Sequence, residues 1–247
     1  MRVLYLYPGP LSAVEGGREE LLRRQDVLRS LAPPDMQIDV RDVTHGGVPP
    51  KGPVSFETAY EGFILVEGAS RVLEEAEADG YDAAILGCFG DPGLDALRER
   101  LSRLVAVGPG ASSCHLAVML GETFGIVTTS SLFINPARRM VHALGLSERL
   151  VGIEVVDMPP RELARDPAAT AAKVRESASR LSGKGANAIV LGCMTMGFLN
   201  ARKAIDLECG LPVINPVTAA LHLSEALVRC GLKPSKAAYP TPEGRIF

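Results

Sequence analysis

Asp82-Ala83-Ala84-Ile85-Leu86-Gly87-Cys88 and Asn187-Ala188-Ile189-Val190-Leu191-Gly192-Cys193 are two copies of one pattern, with their cysteines 105 positions apart. In each, four apolar residues run without interruption into Gly-Cys, and each follows a helix-like segment and a glycine, Gly80 or Gly185. A short continuous apolar run bounded by glycine reads as a strand buried on both faces, the kind found in parallel sheets covered by helices. The match continues downstream at an offset of 107. Val107-Gly108-Pro109 and His115-Leu116 lie over Ile214-Asn215-Pro216 and His222-Leu223. Self-similarity sustained over this length is the mark of a duplicated structural unit.

Outward from these two runs, short apolar segments alternate with helix-like ones along the whole chain, as in stacked βα units. Strands are expected near 3–7, 37–43, 83–87, 104–107, 124–128, 152–156, 188–192 and 212–214. Helices are expected near 18–31, 57–78, 94–101, 112–122, 137–144, 168–181 and 217–229. Asp91-Pro92, Asn135-Pro136 and Asp166-Pro167 each place a capping side chain before a proline suited to the first helical position, which predicts helix starts at all three. The expected fold is α/β, with two similar Rossmann-like or flavodoxin-like lobes. Their parallel central sheets are related by a pseudo-two-fold, and the active site lies in the cleft between them. The first lobe takes residues 1–110 and 216–247 with the first cysteine motif, and the second takes 111–215 with the other.

The 247 residues, 47% of them apolar and 22% charged, suffice for a buried core. A net charge of -3 without any Lys/Arg-rich run lacks the electrostatic footprint that nucleic acid or an anionic membrane demands. The expected partner is therefore a small molecule. Met1–Pro8 reads as a strand rather than a leader, and no segment approaches the roughly 20 apolar residues of a membrane span, so a cytoplasmic location is expected. The five cysteines are odd in number, dispersed and without a Cys-x-x-Cys pair, which argues against a disulfide framework and against zinc. Gly108-Pro109-Gly110 lacks the third glycine of a dinucleotide turn and the lysine of a P-loop, so no nucleotide cofactor is expected.

Cys88 and Cys193 each stand just past the C-terminal end of a parallel strand, where open α/β sheets bind ligands. Taking a proton from one face of a carbon and returning one to the other needs two groups of near-neutral pKa. A thiol, ordinarily near ~8.5, serves when a helix N-terminus or a cation lowers it. Phe89-Gly90-Asp91-Pro92-Gly93 behind the first cysteine and Met194-Thr195-Met196-Gly197 behind the second read as turns whose N–H groups hold a thiolate or an enolate. Free cysteines at strand ends are also commonly plain buried residues. The symmetric placement favours function for these two, whereas Cys114, Cys209 and Cys230 read as structural.

The chain resembles the hydantoin racemases within the Asp/Glu racemase superfamily. The resemblance is carried by Gly52-Pro53-Val54-Ser55-Phe56-Glu57, Cys88-Phe89-Gly90-Asp91-Pro92-Gly93-Leu94, Phe124-Gly125-Ile126-Val127-Thr128-Thr129, Leu191-Gly192-Cys193 and Pro212-Val213-Ile214-Asn215-Pro216-Val217. It implies two similar domains, two acid/base cysteines, no cofactor and a homo-oligomer. Two places depart from the family pattern. Tyr7-Pro8-Gly9-Pro10 replaces an Asn-Pro-Asn-Thr turn after the first strand, and Met194-Thr195 replaces a small pair after the second cysteine.

The expected reaction is inversion of a carbon next to a carbonyl in a hydantoin or related amino-acid derivative. Cys88 and Cys193 act on opposite faces, and the substrate-contact candidates are Phe89, Gly90, Thr128, Thr129, Met194, Thr195, Ser55 and Pro8. Thr128 and Thr129 are equally explained as satisfying local backbone, and Ser55 as a helix cap. His115 and His222, equivalent in the repeat, read as ordinary helix residues, His45 as a solvated loop, and His142 has no distinguishing context. The alternatives are a decarboxylase or cis-trans isomerase with one essential cysteine, or a non-catalytic bilobed protein that binds a small molecule.

Overall fold

The computed structural model describes residues 1–44, 58–201 and 209–241, so His45, Ser55 and the Gly52–Glu57 motif lie outside the described residues. The chain divides into two compact units. One comprises Met1–Gly87, Pro92–Gly108 and Leu221–Phe247, and the other Cys88–Asp91 and Pro109–Ala220.

The first unit holds β1 (Arg2–Tyr7), β2 (Gln37–Asp42), β3 (Ala83–Leu86) and β4 (Val105–Val107), with α1 (Gly17–Leu31), α2 (Ala59–Ala78) and α3 (Leu94–Arg100) between them. Its sheet is wholly parallel, in the order β2-β1-β3-β4. The second holds β5 (Phe124–Thr128), β6 (Leu150–Val155), β7 (Ala188–Leu191) and β8 (Val213–Ile214), parallel in the order β6-β5-β7-β8. Its helices are α4 (Pro109–Leu120), α5 (Ile134–Ala143), α6 (Pro160–Leu163), α7 (Pro167–Gly183) and α8 (Met194–Ala201). Helix α9 (Pro216–Arg229) begins in the second unit and ends in the first. The two sheets repeat one topology strand for strand, and all eight strands expected from the sequence are present. The strand order reverses between β1 and β3, and again between β5 and β7, which makes those strand ends the ligand-binding positions of the fold.

The reason these runs form central strands is visible in their burial. Val3–Leu6, Ala83–Leu86 and Ala188–Leu191 are buried residue after residue, as strands covered on both faces must be. Leu4, Leu6, Ala84 and Leu86 meet Leu73, Leu97 and Leu104 in the core of the first unit. The second sheet carries apolar clusters on both faces. Ile189 and Leu191 pack with Val174 and Leu181, whereas Ala188 and Val190 pack with Cys114, Phe124 and Ile126. No helix among the described residues is long and apolar enough to cross a membrane.

Local capping chemistry differs from expectation at two of the three Asx-Pro pairs. Asp166 caps α7 as the sequence predicts, its carboxylate accepting the Ala169 N–H at 2.9 Å with Pro167 first in the helix. Asn135-Pro136, by contrast, lies inside α5, whose N-cap is Phe133. The proline is tolerated there because first-turn N–H groups have no helical acceptor to lose. Helix α3 is capped by Gly93 at φ 68°, not by Asp91, whose carboxylate is used elsewhere. Two helices, α6 and α8, were not expected at all.

Replacing Asp166 with Ala removes the cap oxygen and leaves the Ala169 N–H without its partner. Urea denaturation is expected to show a loss of about 1 kcal/mol.

Candidate active site

Each of the two central strands ends in a glycine that donates its N–H to the neighbouring strand, Gly87 to Leu6 O at 2.8 Å and Gly192 to Val127 O at 2.7 Å. Neither position has room for a side chain. A Cβ on residue 87 would stand 2.6 Å from Leu6 O and 2.7 Å from the Tyr5 hydroxyl, and one on residue 192 would stand 2.8 Å from Ile126 Cγ2 and 3.0 Å from Val127 O. Glycine therefore lets the strand hug its neighbour to the last residue, and the cysteine that follows is delivered at the switch point of its sheet. Cys88 and Cys193 are both half-buried.

Although β3 belongs to the first unit, the turn Cys88–Asp91 belongs to the second, as Cys193 does. Phe89 is 7% exposed, its ring set among Cys114, Ala117 and Phe124. The Phe89 carbonyl presses on Gly110 so closely that a Cβ there would overlap it. The Asp91 N–H closes the turn on Cys88 O at 3.2 Å, and the Asp91 carboxylate accepts the Gly110 N–H at 3.0 Å and the Ala111 N–H at 2.7 Å. It thus caps α4 from outside the helix, at a distance of about 20 residues in sequence.

Behind Cys193 stands a helix rather than the expected turn. The Cys193 carbonyl accepts the Gly197 N–H at 3.1 Å, which puts Cys193 at the N-cap position of α8. A helix N-terminus favours an anion through its dipole. Asn215 ties α8 to α9. Its amide nitrogen donates to Gly197 O at 2.8 Å and its oxygen accepts the Val217 N–H at 2.9 Å.

Thr128 and Thr129 extend from β5 beside the Gly192–Cys193 strand end, one and two residues past the Val127↔Leu191 pair. Each is 1% exposed, and neither hydroxyl has a hydrogen-bond partner. Local backbone satisfaction, which suits these residues on sequence grounds, is therefore not what they do. Ser130 does that work, accepting the Leu132 N–H at 3.3 Å. A buried hydroxyl left unpaired forfeits roughly 1–3 kcal/mol, and here two adjacent ones find no partner among the described residues.

The sequence led us to expect that Cys88 would be tuned toward thiolate. The structure tunes it the other way. Burial pushes the thiol up to about 12, opposed by a hydrogen bond from the Gly90 N–H and reinforced by the Asp91 carboxylate and by Cys193. Among the described residues no cation offsets this, and the helix that follows starts only after Gly93, not at Asp91 as the sequence predicts. Burial and Asp91 likewise raise Cys114 to about 12. That thiol is sealed in the core, as its structural reading requires.

The other candidates fall as follows. Met194 is buried and Thr195 half-buried in the first turn of α8. Pro8 is buried just past β1 in the first unit. His115 is exposed with Nδ1 near Ala111 O, and His222 is exposed beside Glu225. His142 sits against Ser147. Cys209 packs at the edge of the second core, and Cys230 is exposed at the end of α9. Sequence reasoning missed Gly110 and Asn215 as supports of the two cysteine segments. The offset-107 repeat that pairs Pro109 with Pro216 was the signal that pointed to both places.

The Asp/Glu/Hydantoin racemase family model matches residues 29–223. The chain is 35% identical over 206 residues to a hydantoin racemase of Paenarthrobacter aurescens, which covers 81% of this chain and 84% of that protein. It is 34% identical over 201 residues to a hydantoin racemase of Pseudomonas sp. (strain NS671), covering 81% and 80%. Among solved structures, allantoin racemase from Klebsiella pneumoniae superposes with a TM-score of 0.83 at 29% identity, covering 100% of this chain and 96% of that one.

Two outcomes follow from this geometry. Thr128→Val and Thr129→Val remove hydroxyls that have no partner in the free protein. Each is expected to leave the thermal midpoint equal or higher while lowering turnover about 10-fold or more, the effect of deleting an oxyanion donor. Carboxymethylation of Cys88 followed by peptide mass spectrometry is expected to be slow at pH 7 and to accelerate only as the pH climbs toward about 12, since the neutral thiol persists below its raised pKa.

Proposed function

This chain belongs to the Asp/Glu/hydantoin racemase family and is an isomerase of the racemase type, and we propose that it inverts a ring carbon next to a carbonyl by proton transfer between Cys88 and Cys193. The observation that carries this reading is that the two thiols belong to one unit and lie near enough for charge on one to raise the other. The substrate class we favour is a 5-substituted hydantoin, allantoin included, a small ring that carries carbonyl oxygens and an acidified C–H.

In one direction the Cys193 thiolate, favoured by the α8 N-terminus, takes the hydrogen from one face. The C–H bond breaks, an S–H bond forms, and the electron pair moves onto the carbonyl oxygen. The Cys88 thiol then gives its proton to the other face, so its S–H bond breaks and a C–H bond forms. The pair ends with its protonation exchanged, ready for the opposite enantiomer. A thiol held neutral at pH 7 is suited to this donor role. Charge on the enolate oxygen needs fixed donors, and the Thr128 and Thr129 hydroxyls are available for it because nothing in the protein occupies them. From the sequence the proposal takes over a small-molecule substrate, a cytoplasmic setting and a homo-oligomeric assembly.

The test is solvent deuterium incorporation and loss of optical rotation with L- and D-5-substituted hydantoins, allantoin, aspartate and glutamate. Cys88→Ser and Cys193→Ser are each expected to abolish both signals with the ring substrate, and Cys209→Ser to spare them. Loss with only one of the two substitutions would move the assignment to decarboxylase or cis-trans isomerase chemistry. Ligand binding that survives alkylation, with no exchange, would leave a binding protein.

A further inference from the structure

We propose that the Asp91 carboxylate is a positioning group that clamps the Cys88 turn onto the start of α4, so that Cys88 is held in the same unit as Cys193. The proposal rests on the two-thiol reading above and deepens it.

The turn Cys88–Asp91 is joined by peptide bonds to the first unit at both ends, through Gly87 and Pro92, yet it belongs to the second. Something non-covalent must hold it there. Phe89 supplies an apolar anchor, but a ring in a pocket leaves the backbone free to pivot about it. The two bonds from the Gly110 and Ala111 N–H groups to the two oxygens of Asp91 remove that freedom, and the Asp91 N–H bond to Cys88 O transmits the constraint to the cysteine. Asp91 adopts φ 47°, a left-handed conformation unfavourable for any residue with a Cβ. Such a conformation persists when the surroundings over-determine it, and it clusters at functional sites.

The repeat supplies an independent observation. At the equivalent place in the second copy, α9 is capped by its own Asn215, immediately before Pro216. In the first copy Gly108 stands before Pro109 and has no side chain to cap with. The cap of α4 comes instead from the residue three positions after Cys88. The duplication is thus broken where a break couples a helix start to the first cysteine.

The same carboxylate acts electrostatically. The titratable groups acting on Cys88 are Asp91 and Cys193, both disfavouring its thiolate, and Asp91 acts on the Cys114 thiol of α4 in the same sense. Asp91 therefore both places Cys88 and disfavours its thiolate.

Asp91→Asn removes the charge and keeps one of the two N–H bonds, since the amide has a single acceptor oxygen. Asp91→Ala removes the charge and both bonds. The readouts are the pH dependence of Cys88 carboxymethylation, with Cys193 in the same digest as internal control, together with the racemisation rate and the thermal midpoint. The expected result for Asp91→Asn is a lower pH of half-reaction at Cys88, with a smaller fall in the thermal midpoint than Asp91→Ala shows. For Asp91→Ala racemisation should fall by about 100-fold, as small displacements of reacting groups do, with Asp91→Asn losing far less. A Cys88 profile that Asp91→Asn does not move, or an Asp91→Ala protein that racemises at the wild-type rate, would overturn the proposal. The thiol measurements need no substrate. Should Cys88→Ser racemise normally, the functional reading falls while the Cys88 profile still decides whether Asp91 acts on that thiol.

Discussion

Backbone contact at the ends of β3 and β7 governs where the chemistry stands. The hydrogen bonds from Gly87 to Leu6 and from Gly192 to Val127 carry the parallel ladders to their last residue. They require positions without a Cβ, because a carbonyl oxygen and a ring or methyl group already fill the space one would need. A cysteine in the next position then has no freedom to drift away from the switch point of its sheet. Both cysteines thus follow strands buried on both faces, the kind of element that holds a side chain more precisely than a loop does.

From that shared beginning the two copies diverge, and the divergence carries the chemistry. After Gly192 the chain enters α8 at once, so Cys193 stands at a helix N-terminus. After Gly87 it makes a tight turn, buries Phe89, and spends the Asp91 carboxylate on another helix. One thiol is next to the positive end of a dipole and the other next to a negative charge. Opposed environments for two groups of the same type are a general way to divide acid from base duty, and the proposed roles of the two thiols rest on that difference.

Several locally unfavourable features meet near the two cysteines. Two buried hydroxyls go unpaired among the described residues, Asp91 sits at positive φ, and the Cys88 thiol is held far above its ordinary pKa. At the starts of α2 and α7 local chemistry agrees with the fold, through the Thr58–Glu61 capping box and the Asp166 cap. Local conflict of this kind is expected where function and not folding sets the residues.

The strands and their parallel arrangement were legible in the sequence because an uninterrupted apolar run tolerates no other environment. The repeat was legible because self-similarity needs no geometry. The strand-end positions of both cysteines were legible on the same grounds, whereas Thr128 and Thr129 were singled out by the family resemblance. Helix α8 was not, since Met194-Thr195-Met196-Gly197 has no strong helical preference and packing against the second core decides its conformation. The partner of Asp91 was equally invisible, because a side chain followed by proline and glycine looks like a local cap. Only the folded chain brings a helix start about 20 residues away within reach. Sequence alone determined which residues line the strand ends. Tertiary structure decided which unit the first cysteine joins and which way its proton equilibrium is pushed, because desolvation and through-space charge depend on neighbours that linear order does not specify.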